Sequence, residues 1–187
     1  MKKIISVLFA LCICLSLSAQ EHMKFMGIPI DGTIDNFTLK LKAKGVEYNA
    51  EKSKALPPGG RIFSGTFMGD KATFIVFYNV KSKNVYSVGV ALSYPNVEYA
   101  HPPFMNIAEQ LQDKYPHATS EVSKDSDGDV EGLAFNIPDK SGKKKIGDIF
   151  QTLSVSDSYQ NGGCTILLTY TDVENFQKSE AINNEDL

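Results

Sequence analysis

The sequence predicts an α+β protein in which helices pack on one face of an antiparallel sheet. Two observations lead to this fold class. Amphipathic helical patterns occur at two places in the chain, and each is followed by four short strand patterns separated by turn residues. We therefore expect a tandem repeat of one helix plus four antiparallel strands around one shared core.

The first nineteen residues are expected to be a signal peptide and to lie outside this fold. Lys2 and Lys3 precede an apolar run over residues 4–15, and small residues then lead to Ala19. The run is shorter than the roughly 20 residues that span a membrane. We expect cleavage after Ala19, which predicts a mature protein in the periplasm or outside the cell, without a membrane span.

The charge and the cysteine content limit which kinds of function and which covalent cross-links are expected. The chain has 19 Lys and Arg against 22 Asp and Glu, a formal charge of −3. Without Lys2 and Lys3 the charge is 17 − 22 = −5, which argues against a nucleic-acid binder because such proteins need clustered cations. Cys12 and Cys14 follow large residues, which favours a soluble protein over a lipoprotein. Cys164 alone remains after cleavage, so no intramolecular disulfide is expected.

The first predicted helix begins after Thr33 and ends before Gly45. Ile34, Phe37 and Leu41 recur at i, i+3 and i+7, which places them on one face. Thr33 can accept a hydrogen bond from the first turn, and Gly45 can adopt the left-handed conformation that ends a helix.

The second predicted helix runs from Pro102 to about Tyr115, because proline is tolerated in a first turn and Pro116 stops the helix. Its apolar stripe lies 70 residues after the first stripe. The corresponding residues are Phe104, Ile107 and Leu111, matched with Ile34, Phe37 and Leu41. This offset predicts an internal duplication, although two unrelated amphipathic helices would align in the same way.

Four strand patterns follow each helix. They cover 46–50, 61–68, 72–78 and 85–93 in the first half, and 120–124, 131–137, 149–156 and 164–170 in the second. The predicted units are the signal peptide at 1–19, a first repeat at 20–98, a second repeat at 99–172 and a tail at 173–187. Val173 and Phe176 predict a short docked helix at the start of the tail.

Alternation within the strands predicts which face is buried. Over residues 85–94, one side carries Tyr86, Val88, Val90 and Leu92, and the other carries Ser87, Gly89, Ala91 and Ser93. The first set predicts a face covered by helices, and the second a small-residue face that a partner can approach. Residues 149–156 repeat this pattern, whereas 72–78 are apolar on both sides and predict a central strand.

No motif in the chain is typical of an enzyme. His22, His101 and His117 lack the spacing of metal ligands, and the Gly-x-Ser-x-Gly motif is missing. Cys164 begins an apolar strand pattern, which predicts a buried and unreactive thiol. Residues 58–61 share only composition with a phosphate-binding loop. We therefore predict a non-catalytic protein with no cofactor.

One acidic turn is a weak calcium candidate. Asp125, Asp127 and Asp129 alternate as Ca²⁺ ligands can, but Val130 stands where a calcium-binding loop of the EF-hand type has glycine. A hairpin turn at Asp127 and Gly128 explains the pattern equally well. No metal site is therefore assigned.

Two resemblances extend these predictions. Residues 24–34, running into 41–45 and followed by 63–67, resemble a group of small exported Bacteroidetes proteins of unassigned function. The tandem helix-plus-four-strand pattern resembles, in architecture, the β-lactamase inhibitory proteins, whose two repeats form a concave eight-stranded sheet that grips an enzyme. The second resemblance implies a protein partner, but it assigns no functional residue, and those inhibitors carry disulfides.

The leading functional hypothesis is an exported, non-catalytic binding module. It would recognise a protein in the cell envelope or outside the cell through the helix-free face of its sheet. The alternative is a small-ligand or sugar-binding periplasmic protein with a pocket between sheet and loops. A third hypothesis, an unrecognised hydrolase, requires His101 or His117 beside a carboxylate, a serine or Cys164 in a cleft.

Overall fold

The chain folds around an eight-stranded antiparallel sheet. The computed structural model describes residues 21–124, 130–155 and 163–184, and these contain four helices, so the predicted α+β class is confirmed. The elements in chain order are β1 (Lys24–Phe25), β2 (Ile28–Pro29), α1 (Ile34–Lys42), β3 (Glu47–Tyr48), α2 (Ala50–Ser53), β4 (Gly60–Phe67), β5 (Asp70–Tyr78), β6 (Val85–Tyr94), α3 (Val97–Lys114), β7 (Thr119–Lys124), β8 (Val130–Pro138), β9 (Lys145–Val155), β10 (Cys164–Asp172) and α4 (Val173–Asn184).

The strand order of the large sheet is β3-β4-β5-β6-β10-β9-β8-β7, and β1 and β2 form a separate small hairpin. The two central strands come from distant parts of the chain, since Val90 of β6 lies opposite Leu168 of β10. On either side of this central pair, neighbouring strands are also neighbours in sequence. Antiparallel pairing of this kind needs only short connections.

Helix α1 forms where the sequence predicts it. The Thr33 side chain caps its start by accepting a hydrogen bond from the backbone N–H of Asn36. Ile34, Phe37 and Leu41 are buried, and Gly45 follows with a left-handed φ of 80°. The helix therefore packs its predicted stripe into the core.

Helix α3 begins at Val97, five residues before the predicted start at Pro102, so that prediction was wrong. Asn96 caps this earlier start, and its side chain accepts a hydrogen bond from the Tyr99 N–H at 3.2 Å. Ala100 is buried and extends the apolar stripe by one turn. Pro102 and Pro103 therefore lie inside the helix, where each removes one backbone donor.

The core lies between the sheet and the elements that cover one of its faces. Phe25 of β1 is fully buried, with its ring 5.9 Å from that of Phe74 and 5.2 Å from that of Tyr170. Phe63 and Phe104 are also fully buried. Burying a side chain of this size stabilises a fold by about 1.5–3 kcal/mol, so these aromatic residues form the main anchor of the two layers.

The tail forms a helix as predicted, but it docks through polar side chains. Asn175 and Ser179 are its buried residues, whereas Phe176 is 38% exposed. Asn79, which follows β5, donates to the Ser179 hydroxyl at 3.1 Å and to its backbone carbonyl at 3.2 Å. The Asn175 side chain donates to the carbonyl of Ile30 at 2.9 Å. Hydrogen bonds therefore fix this helix.

Two strand boundaries also differ from the prediction. The strand expected over 46–50 is limited to β3, because Asn49 caps α2 by accepting from the Lys52 N–H at 3.0 Å. Strand β9 begins at Lys145, four residues earlier than expected. None of the helices among the described residues is long and apolar enough to cross a membrane.

Candidate functional site

The side of the sheet opposite α1 and α3 carries two rows of residues in register across six strands. One row consists of Ile62, Ile75, Gly89, Thr169, Phe150 and Ala134. The next row consists of Ser64, Thr73, Ala91, Leu167, Thr152 and Gly132. We call these twelve residues the open face. With strands about 4.8 Å apart, each row is roughly 24 Å long.

The open face is uncharged and exposes large apolar side chains. Phe150 is 49% exposed and Leu167 is 37% exposed. They are diagonal neighbours, because Phe150 pairs with Thr169, two residues after Leu167; such positions are within reach of long side chains. The adjacent residues Ile149 and Leu168, which point to the other face, are fully buried. The same strands thus bury one apolar face and expose another.

Gly89 lies at the centre of the open face. Its φ is not in the left-handed region, and a Cβ placed on it would meet only atoms 3.8–3.9 Å away, from Ile75 and Leu168. These are ordinary van der Waals distances. The position therefore accepts a side chain without steric conflict, and the glycine leaves a shallow depression between Ile75 and Thr169.

Three aromatic residues form a rim at one end of the open face. The rings of Phe77 and Tyr86 stack at 6.5 Å, and that of Phe176 meets Tyr86 edge-on at 5.7 Å. We predicted Tyr86 to lie on the covered face with Val88, and this was wrong. The register shifts beside Tyr78, so Tyr86 is an extra residue and turns toward Phe77. Burial also raises the pKa of its phenol.

Arg61, which follows the glycine-rich turn at 58–60, forms an ion pair and two aromatic contacts with neighbouring residues at the protein surface. Its guanidinium lies 2.8 Å from a carboxylate oxygen of Asp35 and 5.7 Å from the ring centres of both Tyr48 and Tyr78. The residue thus joins α1 to the edge of the sheet. The phosphate-loop composition noted in the sequence corresponds to this structural role.

The residues considered for catalysis lie apart from one another. His101 and His117 are exposed, and neither imidazole forms a hydrogen bond within the described ranges. Cys164 is buried as predicted, and burial raises the pKa of its thiol. The arrangement that the hydrolase hypothesis requires is therefore not found at these residues.

His22 has a partner that the sequence did not suggest. Its Nδ1 lies 3.0 Å from Oδ2 of Asp172, a carboxylate that is 1% exposed. Asp172 also accepts from the backbone N–H of Met23 and caps α4 through the N–H of Asn175, both at 2.9 Å. With these contacts the carboxylate ties the start of the described chain to its last helix.

The calcium candidates Asp125, Asp127 and Asp129 lie outside the described residues. Within the described part of the chain, no group of three or more His, Cys, Asp or Glu side chains is arranged to hold a metal ion.

Three shallow grooves lie away from the open face. One of about 240 Å³ lies between Tyr115 and Ile137, and one of about 260 Å³ lies between Asn79 and α4. The third, of about 290 Å³, lies where Asp70 and Tyr94 meet α3. In this third groove the Tyr94 hydroxyl donates to Asp70 Oδ2 at 2.8 Å.

Fold and surface together define an α+β protein with one covered sheet face and one exposed face, whose six inner strands carry the uncharged open face and whose edge strands carry Glu47 and Glu121 in the same rows. No protein-family model matches the chain, and neither a curated protein nor a solved structure is significantly similar to it.

Proposed function

We propose that this protein is an exported, non-catalytic binding module that recognises another protein through the open face. One observation carries the proposal: the open face contains no charged residue, yet it exposes Phe150 and Leu167 beside each other. The signal-peptide pattern at 1–19 supports a partner in the cell envelope or outside the cell.

The composition of the open face suits a protein partner. The centres of protein interfaces are depleted of charged residues and enriched in aromatic ones. Thr169 and Gly89 lie between Phe150 and Ile75 and keep the surface low there, so a partner can contact the backbone and the apolar side chains together. A standard interface takes about 800 Å² from each partner, so the aromatic rim is expected to take part.

We also propose that the chain arose by duplication of one helix-plus-four-strand unit. Each proposed repeat has one long helix followed by four strands, and the repeats meet at β6 and β10. The offset of 70 residues is supported by burial, since both matched apolar triplets are buried in α1 and α3. A duplicated unit would explain how one chain builds a sheet wide enough for a protein interface. The resemblance to the β-lactamase inhibitory proteins supports the same use of the sheet.

The substitution Gly89→Lys tests the proposal. Because a Cβ fits at this position, the variant is expected to fold, while its long charged side chain obstructs the centre of the open face. Leu39→Lys is the matched control, since Leu39 is 66% exposed on α1. Both variants introduce the same side chain, and circular dichroism and thermal melting should verify folding.

The readout is affinity capture from periplasm and growth medium of the native source. Wild-type protein and Leu39→Lys are expected to retain the same protein in stoichiometric amount, and Gly89→Lys is expected to lose it. Equal retention by Gly89→Lys would contradict use of the open face. Absence of any stoichiometric partner would contradict the binding function itself.

A further inference from the structure

The groove beside Tyr94 has features of a second binding site that is separate from the open face. It lies between the β4–β5 turn, the end of β6 and the middle of α3, and its volume is about 290 Å³. Leu92 and Tyr94 line it. Both lie on the helix-covered face of β6, whereas Ala91 lies on the other face of the sheet. Binding here would therefore leave the open face free.

A carboxylate with spare acceptor capacity lies in this groove. Asp70 Oδ2 accepts the Tyr94 hydroxyl hydrogen at 2.8 Å, and Asp70 forms no ion pair within the described residues. Burial, together with the hydrogen bond and charge of Asp70, raises the pKa of Tyr94 to about 12. The phenol thus stays a donor at neutral pH, and Oδ1 of Asp70 can accept hydrogen bonds from a ligand.

A donor and apolar surfaces complete the lining. Asn106 accepts from the Gln110 amide through its Oδ1 at 2.9 Å, so its own NH₂ group can donate to a ligand. The rings of Pro102 and Pro103 and the side chain of Ile107 supply apolar contact. The two prolines, which interrupt the hydrogen bonding of α3, thus border the groove.

Met68 at the mouth of the groove occupies a position unfavourable for its residue type. It forms a two-residue hairpin turn with Gly69, and their φ values are 54° and 94°. Such turns favour Asn followed by Gly, because a side chain with positive φ is strained. Met68 is nevertheless 46% exposed and lines the groove. The turn itself does not require methionine at this position. We therefore attribute the presence of Met68 to a contact that its side chain makes in the groove, rather than to the conformation of the turn.

The chemistry of the lining selects the ligand class. No Lys, Arg or His lines the groove among the described residues, which disfavours an anion. The spare groups are a carboxylate acceptor and an amide donor, and the remaining surface is apolar. Sugar hydroxyls donate to carboxylates and accept from amides, and the C–H faces of a sugar ring pack against apolar side chains. We infer that this groove binds a neutral sugar, and its size, at the lower end for ligand pockets, suits one or two rings.

Thermal melting with glucose, galactose, mannose, N-acetylglucosamine, cellobiose and maltose as probes tests this inference. At about ten times its Kd, a bound sugar is expected to raise the Tm by roughly 3–6 °C. Isothermal titration calorimetry then gives the Kd. Tri-lysine is the competing probe, because an amine is the other class that a lone carboxylate attracts. No shift with any sugar, or a shift with tri-lysine alone, would overturn the inference.

Two variants separate the sugar site from general stability. Asp70→Asn is expected to weaken sugar binding about tenfold to a hundredfold, because it removes a charged acceptor. Met68→Asn is expected to raise the Tm of the free protein by about 2–4 °C while weakening sugar binding. Gly89→Lys should leave sugar binding unchanged, which separates this site from the proposed function. Unchanged affinity in both Asp70→Asn and Met68→Asn would overturn the assignment of the groove.

Discussion

Gln151 is the buried polar group whose replacement is expected to stabilise the protein. It lies on the covered face of β9 and is 0% exposed. Its Nε2 donates to the backbone carbonyl of Phe104 at 2.6 Å, but its Oε1 has no hydrogen-bond partner among the described residues. Methionine has a similar shape and length, so Gln151→Met removes both polar atoms and keeps most of the packing.

The expected change follows from two opposing contributions. Loss of the hydrogen bond to Phe104 costs about 1 kcal/mol net, and the carbonyl of Phe104 remains in helix α3. Removal of an unsatisfied buried acceptor increases the free energy of unfolding by about 1–3 kcal/mol. We therefore expect Gln151→Met to increase the free energy of unfolding by about 1 kcal/mol, which raises the Tm by roughly 2–4 °C.

Urea unfolding followed by circular dichroism measures this change, with Gln151→Glu as the opposing control. Burial disfavours the charged carboxylate in that variant, so its destabilisation should grow as the pH rises above about 4.3, where the unfolded chain releases the proton that the native state keeps. A decrease of more than about 1 kcal/mol in Gln151→Met would refute the reasoning. That result would mean that Oε1 makes an interaction which methionine cannot replace.

Three further measurements probe other parts of the structure. Burial, and to a lesser extent the nearby Tyr115, raises the pKa of Tyr170, so the native state keeps a proton that the unfolded state releases near pH 10. This group should leave stability unaffected at neutral pH and lower it above about pH 10 by up to ~1.4 kcal/mol per pH unit. The Tyr170→Phe variant should show a shallower fall. An equal slope in that variant would mean that the Tyr170 phenol does not cause the loss of stability. Asn79→Asp keeps the acceptor for the N–H groups of Lys81 and Ser82 but loses the donor to α4. Amide hydrogen exchange should therefore become faster across residues 173–184, and the protein should lose about 2 kcal/mol in stability. Unchanged exchange would contradict the docking of α4 through polar side chains. Cys164 should react with a disulfide reagent at least about a hundredfold more slowly in native protein than in urea; comparable rates would contradict its burial.

Local patterns were sufficient to predict the elements whose stability depends on nearby residues. Alternation in β6 identified Val88, Val90 and Leu92 as buried, because a strand with one covered face must place alternate side chains in the core. The capping threonine and apolar stripe of α1 likewise predicted that helix. These signals lie within a few residues of the element they specify.

The parts that could not be predicted depend on contacts between distant residues. The turn of Tyr86 toward Phe77 results from a register shift against β5, which no alternation within β6 reveals. The polar docking of α4 depends on Asn79, a hundred residues before Ser179. The groove at Tyr94 forms where the β4–β5 turn, the end of β6 and helix α3 meet, an arrangement that no single segment specifies.

The pairing of β6 with β10 has a consequence for how the chain completes its fold. Strand β10 lies between β6 and β9 and is the last strand in sequence. A growing chain can form the hairpins on each side early, but it leaves two apolar strand edges unpaired until residues 164–172 are available. Pairings across such long sequence separations form slowly. A chain cut before β10 therefore loses the centre of its sheet, and its two exposed edges become templates for aggregation.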